Sequence, residues 1–354
     1  MTGNRVLLVA ALAALLVTSA VAQKNEVTPT AADRLAVKSA QGGVIHPLLA
    51  NTKAAGTYGK EATAGPAVTG PAITPFPKGR RYPGDLTYQG GETVDRARYH
   101  AIYVLNSFTG TTGCTQATIP TCWGSPEDFL KNLGKSDFIH VVDQYVGRYD
   151  RDRYTNGADA FATFTPLPPA LTDADMQALV HAVAASLGFP TGYGNIYHIF
   201  LPPGTDECFD ATYATCYSPD NPATFFFCAY HGSVTFTDVG HVLYTVEPYQ
   251  NVSGCNVPPG SPNGPLVDAT NSVLSHETFE TITDPDGTAW WNGASNALYG
   301  SEIADECEFI IFYPTAVYFN PSIWHVDGHV YATQPEYNND GHTCSTSPDW
   351  DDWL

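Results

Sequence analysis

Positive charge is what this chain has least of: 16 Lys and Arg stand against 36 Asp and Glu, for a formal charge of −20. Nucleic acids and anionic membrane surfaces would repel such a surface, so neither is expected as a partner, and cations are its natural company. Much of the excess acid serves solubility. Past the first 22 residues no stretch approaches the roughly 18 to 20 uninterrupted apolar residues that a membrane helix requires, so no membrane span is expected. There is no C-x-x-C pair for a cysteine metal site, and no G-x-S-x-G elbow, Walker loop or Rossmann glycine fingerprint. The serine-hydrolase and nucleotide-binding readings are therefore unsupported.

What is present begins with an export signal. In Met1–Ala22, Arg5 supplies the positive start, Val6–Val17 the apolar stretch and Ala20-Val21-Ala22 a small-residue cleavage site. The product is expected to be secreted, extracellular or periplasmic. The 8 cysteines fit an oxidising destination, and proximity pairs Cys114 with Cys122, Cys208 with Cys216, Cys228 with Cys255 and Cys307 with Cys344. Residues 23–95 are rich in Ala, Gly, Pro and Thr, with few large apolar groups to offset the entropy of ordering. They read as a flexible leader or propeptide, followed by a globular domain over 96–354.

Within that domain, short runs rich in aromatic and β-branched residues predict strands at Ala101–Leu105, Phe138–Val142, Ile196–Leu201, Phe225–Tyr230 and His241–Val246. Ser125-Pro126-Glu127 opens one helix with a cap, a proline at the first position and an early acid. Thr172 and Asp175 form a near capping box for a second helix that Gly188 ends. A third spans about Asp268 to Ile282. Strands alternating with helices predict an α/β (or α+β) layered single domain with a mixed sheet, stapled by disulfides.

The chemistry concentrates in the third helix, in Ser275-His276-Glu277-Thr278-Phe279-Glu280. His276 and Glu280 are one turn apart on the same face and can grip one cation, while Glu277 sits beside them as a base. This is H-E-x-x-H with its second histidine replaced by Glu280. Downstream, Ser301-Glu302-Ile303-Ala304-Asp305-Glu306-Cys307 brings a second group of carboxylates, anchored if Cys307 is bridged. A zinc hydrolase needs three protein ligands, an open position for water and a carboxylate to take the water's proton. His276, Glu280 and either Glu302 or Asp305 can be the ligands, with Glu277 catalytic. One imidazole and two carboxylates make a hard donor set, so zinc is joined by manganese, iron or calcium as candidate metals. The competing reading makes Glu277 and Glu280 a solvated helix face. A third assigns the oxygens of Asp284, Asp286, Glu302 and Asp305 to a structural Ca²⁺, leaving His276 unexplained. His100, His140, His198, His231 and His241, in or beside strand-like runs, read as hydrogen-bonded core histidines. His325 and His329 flank an Asp327-Gly328 hairpin turn.

The order Tyr99-His100-Ala101-Ile102-Tyr103, Cys228-Ala229-Tyr230-His231-Gly232, Cys255-Asn256-Val257-Pro258-Pro259-Gly260 and Thr283-Asp284-Pro285-Asp286-Gly287 with Ala289-Trp290 resembles the secreted phosphate-induced, EXORDIUM-like family, over about residues 99 to 310. The H-E-x-x-E motif before T-D-P and the later E-I-A-D-x-C are similar to a microbial branch that looks zincin-like. That resemblance implies metal binding by His276 and Glu280 on a zincin-like active-site helix, with Glu277 catalytic. Together these readings give the expectation of a secreted metal-dependent hydrolase, foremost a peptidase using a metal-activated water on a peptide or cell-wall substrate. The alternative is a non-catalytic extracellular or wall-associated binding protein.

Overall fold

The β-rich runs of the sequence assemble into one mixed 9-stranded sheet. The computed structural model describes residues 6–7, 37–38, 44–50, 84–105, 113–147, 152–164, 170–257, 260–293, 298–307 and 322–348. The strands are β1 (Val6–Leu7), β2 (Val37–Lys38), β3 (Val44–Leu49), β4 (Ala97–Val104), β5 (Tyr154–Asn156), β6 (Ala160–Ala162), β7 (Asn195–Phe200), β8 (Phe227–Phe236) and β9 (Gly240–Glu247). Their order is β1-β6-β4-β7-β9-β8-β3-β2, with β5 also paired to β4. From β1 through β9 neighbouring strands run parallel; β9, β8, β3 and β2 are mutually antiparallel.

Both faces are covered, as near-continuous apolar strands require. Tyr99, Ala101 and Tyr103 of β4 face a core shared with Leu274, Phe279 and Ile282, whereas Ile102 and Val104 face one shared with Met176, Val180 and Val183. The first face carries helices α1 (Pro126–Leu133) and α3 (Pro265–Thr283); the second carries α2 (Asp173–Leu187). The start of α2 is the expected capping box, with the Thr172 amide donating to Asp175 Oδ2 at 2.8 Å, and Gly188 closes it at φ 66°. The mixed α/β architecture and the three helices agree with the sequence, and the Asp327-Gly328 turn joins β10 (Ser322–Val326) to β11 (His329–Thr333).

Two expectations change. Phe138–Val142 is a 3₁₀-helix, not a strand. A five-residue apolar run carries too little periodicity to separate the two, and here the Ser136 hydroxyl accepts the Ile139 amide while the Phe138 ring packs on Phe279 at 4.6 Å. The leader is not uniformly separate from the domain: Val44–Leu49 pairs with β8 along its length, and Leu86 and Val94 are buried. The apolar run V-I-H-P-L-L is hidden by the Ala and Gly around it. Among the described residues β2 pairs only with Val44 and Ile45, so Pro47 meets no described strand on that side. Of the leader, residues 37–38, 44–50 and 84–95 are described, and of the export signal Val6–Leu7, which pair with β6; the rest of both lies outside the described residues.

Four disulfides join Cys114 to Cys122, Cys208 to Cys216, Cys228 to Cys255 and Cys307 to Cys344, the pairing expected from proximity. The last ties the acidic turn at 302–307 to the hairpin of β12 (Glu336–Asn338) and β13 (Thr343–Ser345). Among the described residues no helix is long and apolar enough to cross a membrane.

Strand register sets one row of side chains across the α3 face: His46, His231, Thr245, His198 and Ala101 stand opposite one another on β3, β8, β9, β7 and β4. Phe279 is fully buried against Phe138 and fastens α3 to the 3₁₀-helix at Phe138–Val142. Phe279→Ala is expected to cost about 3–5 kcal/mol of stability in urea unfolding, and a loss below about 1 kcal/mol would show that α3 is held elsewhere.

Candidate metal centre

Every residue of α3 from Asp268 to Thr283 is buried. A helix buried all round is ordinarily apolar, yet this one carries many polar side chains. Several satisfy themselves locally: the hydroxyls of Thr278, Thr281 and Thr283 donate to the carbonyls of Leu274, Glu277 and Phe279 at 2.6, 2.6 and 3.0 Å. His276, Glu277 and Glu280 have no such local outlet and point into the space between α3, the sheet row and the acidic turn.

There the side chains form three overlapping groups, each with its donor atoms within 4.8 Å of one another. In the first, His276 Nε2 lies 3.1 Å from Glu280 Oε1 and 3.9 Å from Asp305 Oδ1. In the second, His231 Nδ1 is 3.4 Å from Glu277 Oε2 and 3.4 Å from Glu280 Oε2. In the third, Glu302 Oε2 is 3.1 Å from His46 Nδ1 and 3.8 Å from His231 Nε2. The two rings of His46 and His231 stack at 4.9 Å.

The protonation of His276 follows from its other nitrogen. Gln334 Nε2 donates to the Ala304 carbonyl at 2.5 Å, so its Oε1 faces His276 Nδ1 at 3.3 Å and that nitrogen carries the proton. Burial opposes charge on the ring, but Glu280 beside Nε2 holds it protonated in the absence of a cation, and Nε2 is the nitrogen that would yield its proton to a cation held with Glu280 and Asp305. Asp305 is positioned in turn: its Oδ2 accepts the Glu302 amide at 3.0 Å and its own amide donates to Glu280 Oε1 at 3.3 Å.

Of the residues singled out from sequence, His276, Glu280 and Asp305 come together, and Glu277 lies beside them. Glu302 stands in the adjoining group with His46 and His231. The all-oxygen Ca²⁺ set does not assemble among the described residues: Asp286 turns to His241 at 3.0 Å and to Tyr193, and Asp284 Oδ1 accepts the Ala289 amide at 2.5 Å. His46 and His231 were missed. His100, His140 and His198 are buried and hydrogen-bonded as core histidines should be, and His241 is half-buried and bonded to the Thr235 hydroxyl; His231 has no hydrogen bond at either nitrogen. Only the β3–β8 register, a long-range fact, joins it to His46.

The electrostatics are those of too much negative charge in a dry place. Among the described residues the ion-pair partners of Glu277, Glu280, Glu302 and Asp305 are all histidines. Burial pushes Glu277 and Asp305 up to about 7 and Asp284 to about 6, and lifts Glu302 and Glu336 well above the usual carboxylate range. Burial also opposes charge on His231, but Glu277 and Glu280 hold its imidazolium up at about 10. Glu280, which burial would raise, is drawn down to about 2 by His276 and His231. Burial, then the neighbouring His231, lowers His46 to about 3. Both oxygens of Glu277, Oε1 of Glu302, both nitrogens of His46 and of His231, and Nε2 of His276 lack hydrogen-bond partners. Such orphans are rare in folded proteins, and a divalent cation would satisfy both the charge and the lone pairs.

Comparison with protein-family models, with curated proteins and with solved structures returns no match for this chain.

A pH dependence follows for the protein stripped of metal. Carboxylates raised to about 6 and 7 stabilise the fold while protonated and withdraw that support as pH rises through those values. His231, raised to about 10, adds stability below 6.5 that also declines above it. His46 acts oppositely, but only between about 3 and 6.5. Chelated protein should therefore lose thermal stability steadily from pH 6.5 to about pH 8, and Zn²⁺ or Mn²⁺ should restore it. Equal pH profiles with and without metal would contradict this charge balance.

Proposed function

We propose that this chain is a metal-dependent hydrolase, foremost a peptidase, whose zincin-like helix α3 holds a divalent cation through His276 and Glu280, with Asp305 as third ligand. The observation that carries the reading is the convergence of His276 Nε2, Glu280 Oε1 and Asp305 Oδ1, with Gln334 on the opposite nitrogen of the imidazole. One nitrogen and two oxygens suit zinc, manganese or iron, and the set is too small in oxygens for a calcium cage. Bound there, the metal would supply Lewis acidity toward water and a scissile carbonyl. Glu277 supplies the base: it is adjacent to His276 in sequence, buried, and neither of its oxygens has a hydrogen-bond partner, though Oε2 lies 3.4 Å from His231 Nδ1. The order Tyr99-His100-Ala101-Ile102-Tyr103, Cys228-Ala229-Tyr230-His231-Gly232 and Cys255-Asn256-Val257-Pro258-Pro259-Gly260 supports kinship with the secreted EXORDIUM-like proteins and an extracellular place of action, and H-E-x-x-E before T-D-P with E-I-A-D-x-C supports their zincin-like microbial branch.

One observation favours a second reading. His276 and Glu277 are fully buried, and the group's least covered side chain, Asp305, is 10% exposed. A centre so enclosed suits a cation that fastens α3 to the acidic turn in a non-catalytic extracellular or wall-associated protein.

The two are separated by full-length protein purified without chelator. On the hydrolase reading it cleaves casein or a quenched-fluorescence peptide library, Glu277→Gln keeps the metal and loses at least about 100-fold in rate, and His276→Ala loses both. Unchanged turnover in Glu277→Gln would refute its catalytic role. Stoichiometric metal with no cleavage by the wild type would establish the structural reading.

A further inference from the structure

The first group leaves His46, His231 and Glu302 without employment, and no residue of that trio belongs to the set His276, Glu280 and Asp305. We propose that His46, His231 and Glu302 form a second, separate divalent-cation site that selects zinc and clamps strand β3 to the sheet.

Three independent observations carry it. The donor atoms converge: Glu302 Oε2 lies 3.1 Å from His46 Nδ1 and 3.8 Å from His231 Nε2, and all three fall within 4.8 Å of one another. The donors are also unmatched. Both nitrogens of His46 and of His231 and Oε1 of Glu302 have no hydrogen-bond partner, in residues that are 7%, 0% and 1% exposed. Finally, the tautomer is set for ligation. His231 Nδ1 faces Glu277 and Glu280 at 3.4 Å each, so it is the nitrogen that keeps its proton when a cation takes the place of the one on Nε2, which faces Glu302 at 3.8 Å. This repeats, with carboxylates in place of an amide, the arrangement of Gln334 behind His276.

The donor chemistry distinguishes the two sites. Two imidazoles and one carboxylate are the set of many zinc centres, softer than the one imidazole and two carboxylates around His276. The β3–β8 register sets His46 opposite His231 with their rings stacked at 4.9 Å, and a cation there would fasten both strands to the acidic turn through Glu302. Glu280 connects the sites without belonging to both: Oε1 faces His276 and Oε2 faces His231.

The test uses the full chain, stripped with chelator, reloaded with Zn²⁺ alone, and analysed by elemental content and by competition with a chromophoric chelator. Wild type should hold two zinc ions per chain. His46→Ala and Glu302→Gln should each remove one, or weaken it beyond the roughly 10–100-fold that losing an outer partner costs. His276→Ala should remove the other, and near-UV circular dichroism reports that each variant is folded. Glu302→Gln keeps the shape of the side chain, so it remains readable should His46→Ala unfold. If both His46→Ala and Glu302→Gln retain the wild-type zinc count and affinity, the second site does not exist. If His276→Ala changes nothing while His46→Ala removes an ion, the site argued here stands and the assignment around His276 fails instead.

Discussion

Everything about this site depends on the cost of placing carboxylates where water does not reach. Glu277, Glu280, Glu302 and Asp305 lie between a buried helix and a sheet covered on both faces, with imidazoles as the only charge partners found among the described residues. An unpaired ion in such surroundings costs several kcal/mol, and proteins avoid it by protonation, pairing or a metal. The overall charge of −20 makes the same point at the scale of the whole chain. What distinguishes the cluster from a solubilising surface is that its acids point inward.

The fold is the means of bringing them there. Period-2 alternation along β3, β8, β9 and β7 puts His46, His231, Thr245 and His198 in one row, and helix periodicity puts His276 and Glu280 one turn apart above it. The disulfide from Cys307 to Cys344 and the Gln334 bridge to Ala304 hold the acidic turn against the helix end. No single element contains the centre; it exists only when sheet, helix and turn are packed together.

How much of this was readable beforehand depended on how local each signal was. The span of α3, the capping box of α2, the hairpin at Asp327-Gly328 and the disulfide pairing are all encoded within a few residues or by proximity, and each agrees with the structure. The pair His276 and Glu280 was legible for the same reason. Asp305 and Glu302 could be named as alternatives but not told apart, because their choice depends on how the turn folds back on α3. His231 looked like a core histidine, as His198 and His100 in fact are, and only the absence of a hydrogen bond sets it apart. His46 carried no signal: composition averaged over its neighbourhood concealed six residues that pair with β8, and the 3₁₀ turn at Phe138–Val142 shows the same limit for short apolar runs.

The central claim is that divalent metal, not protons, balances these acids. Full-length protein prepared at pH 7 without chelator should contain divalent metal in at least stoichiometric amount, and its infrared spectrum should gain a protonated-carboxyl band only after the metal is stripped. Metal-free protein of unchanged stability, showing that band from the outset, would mean that protons do the balancing and would contradict the account.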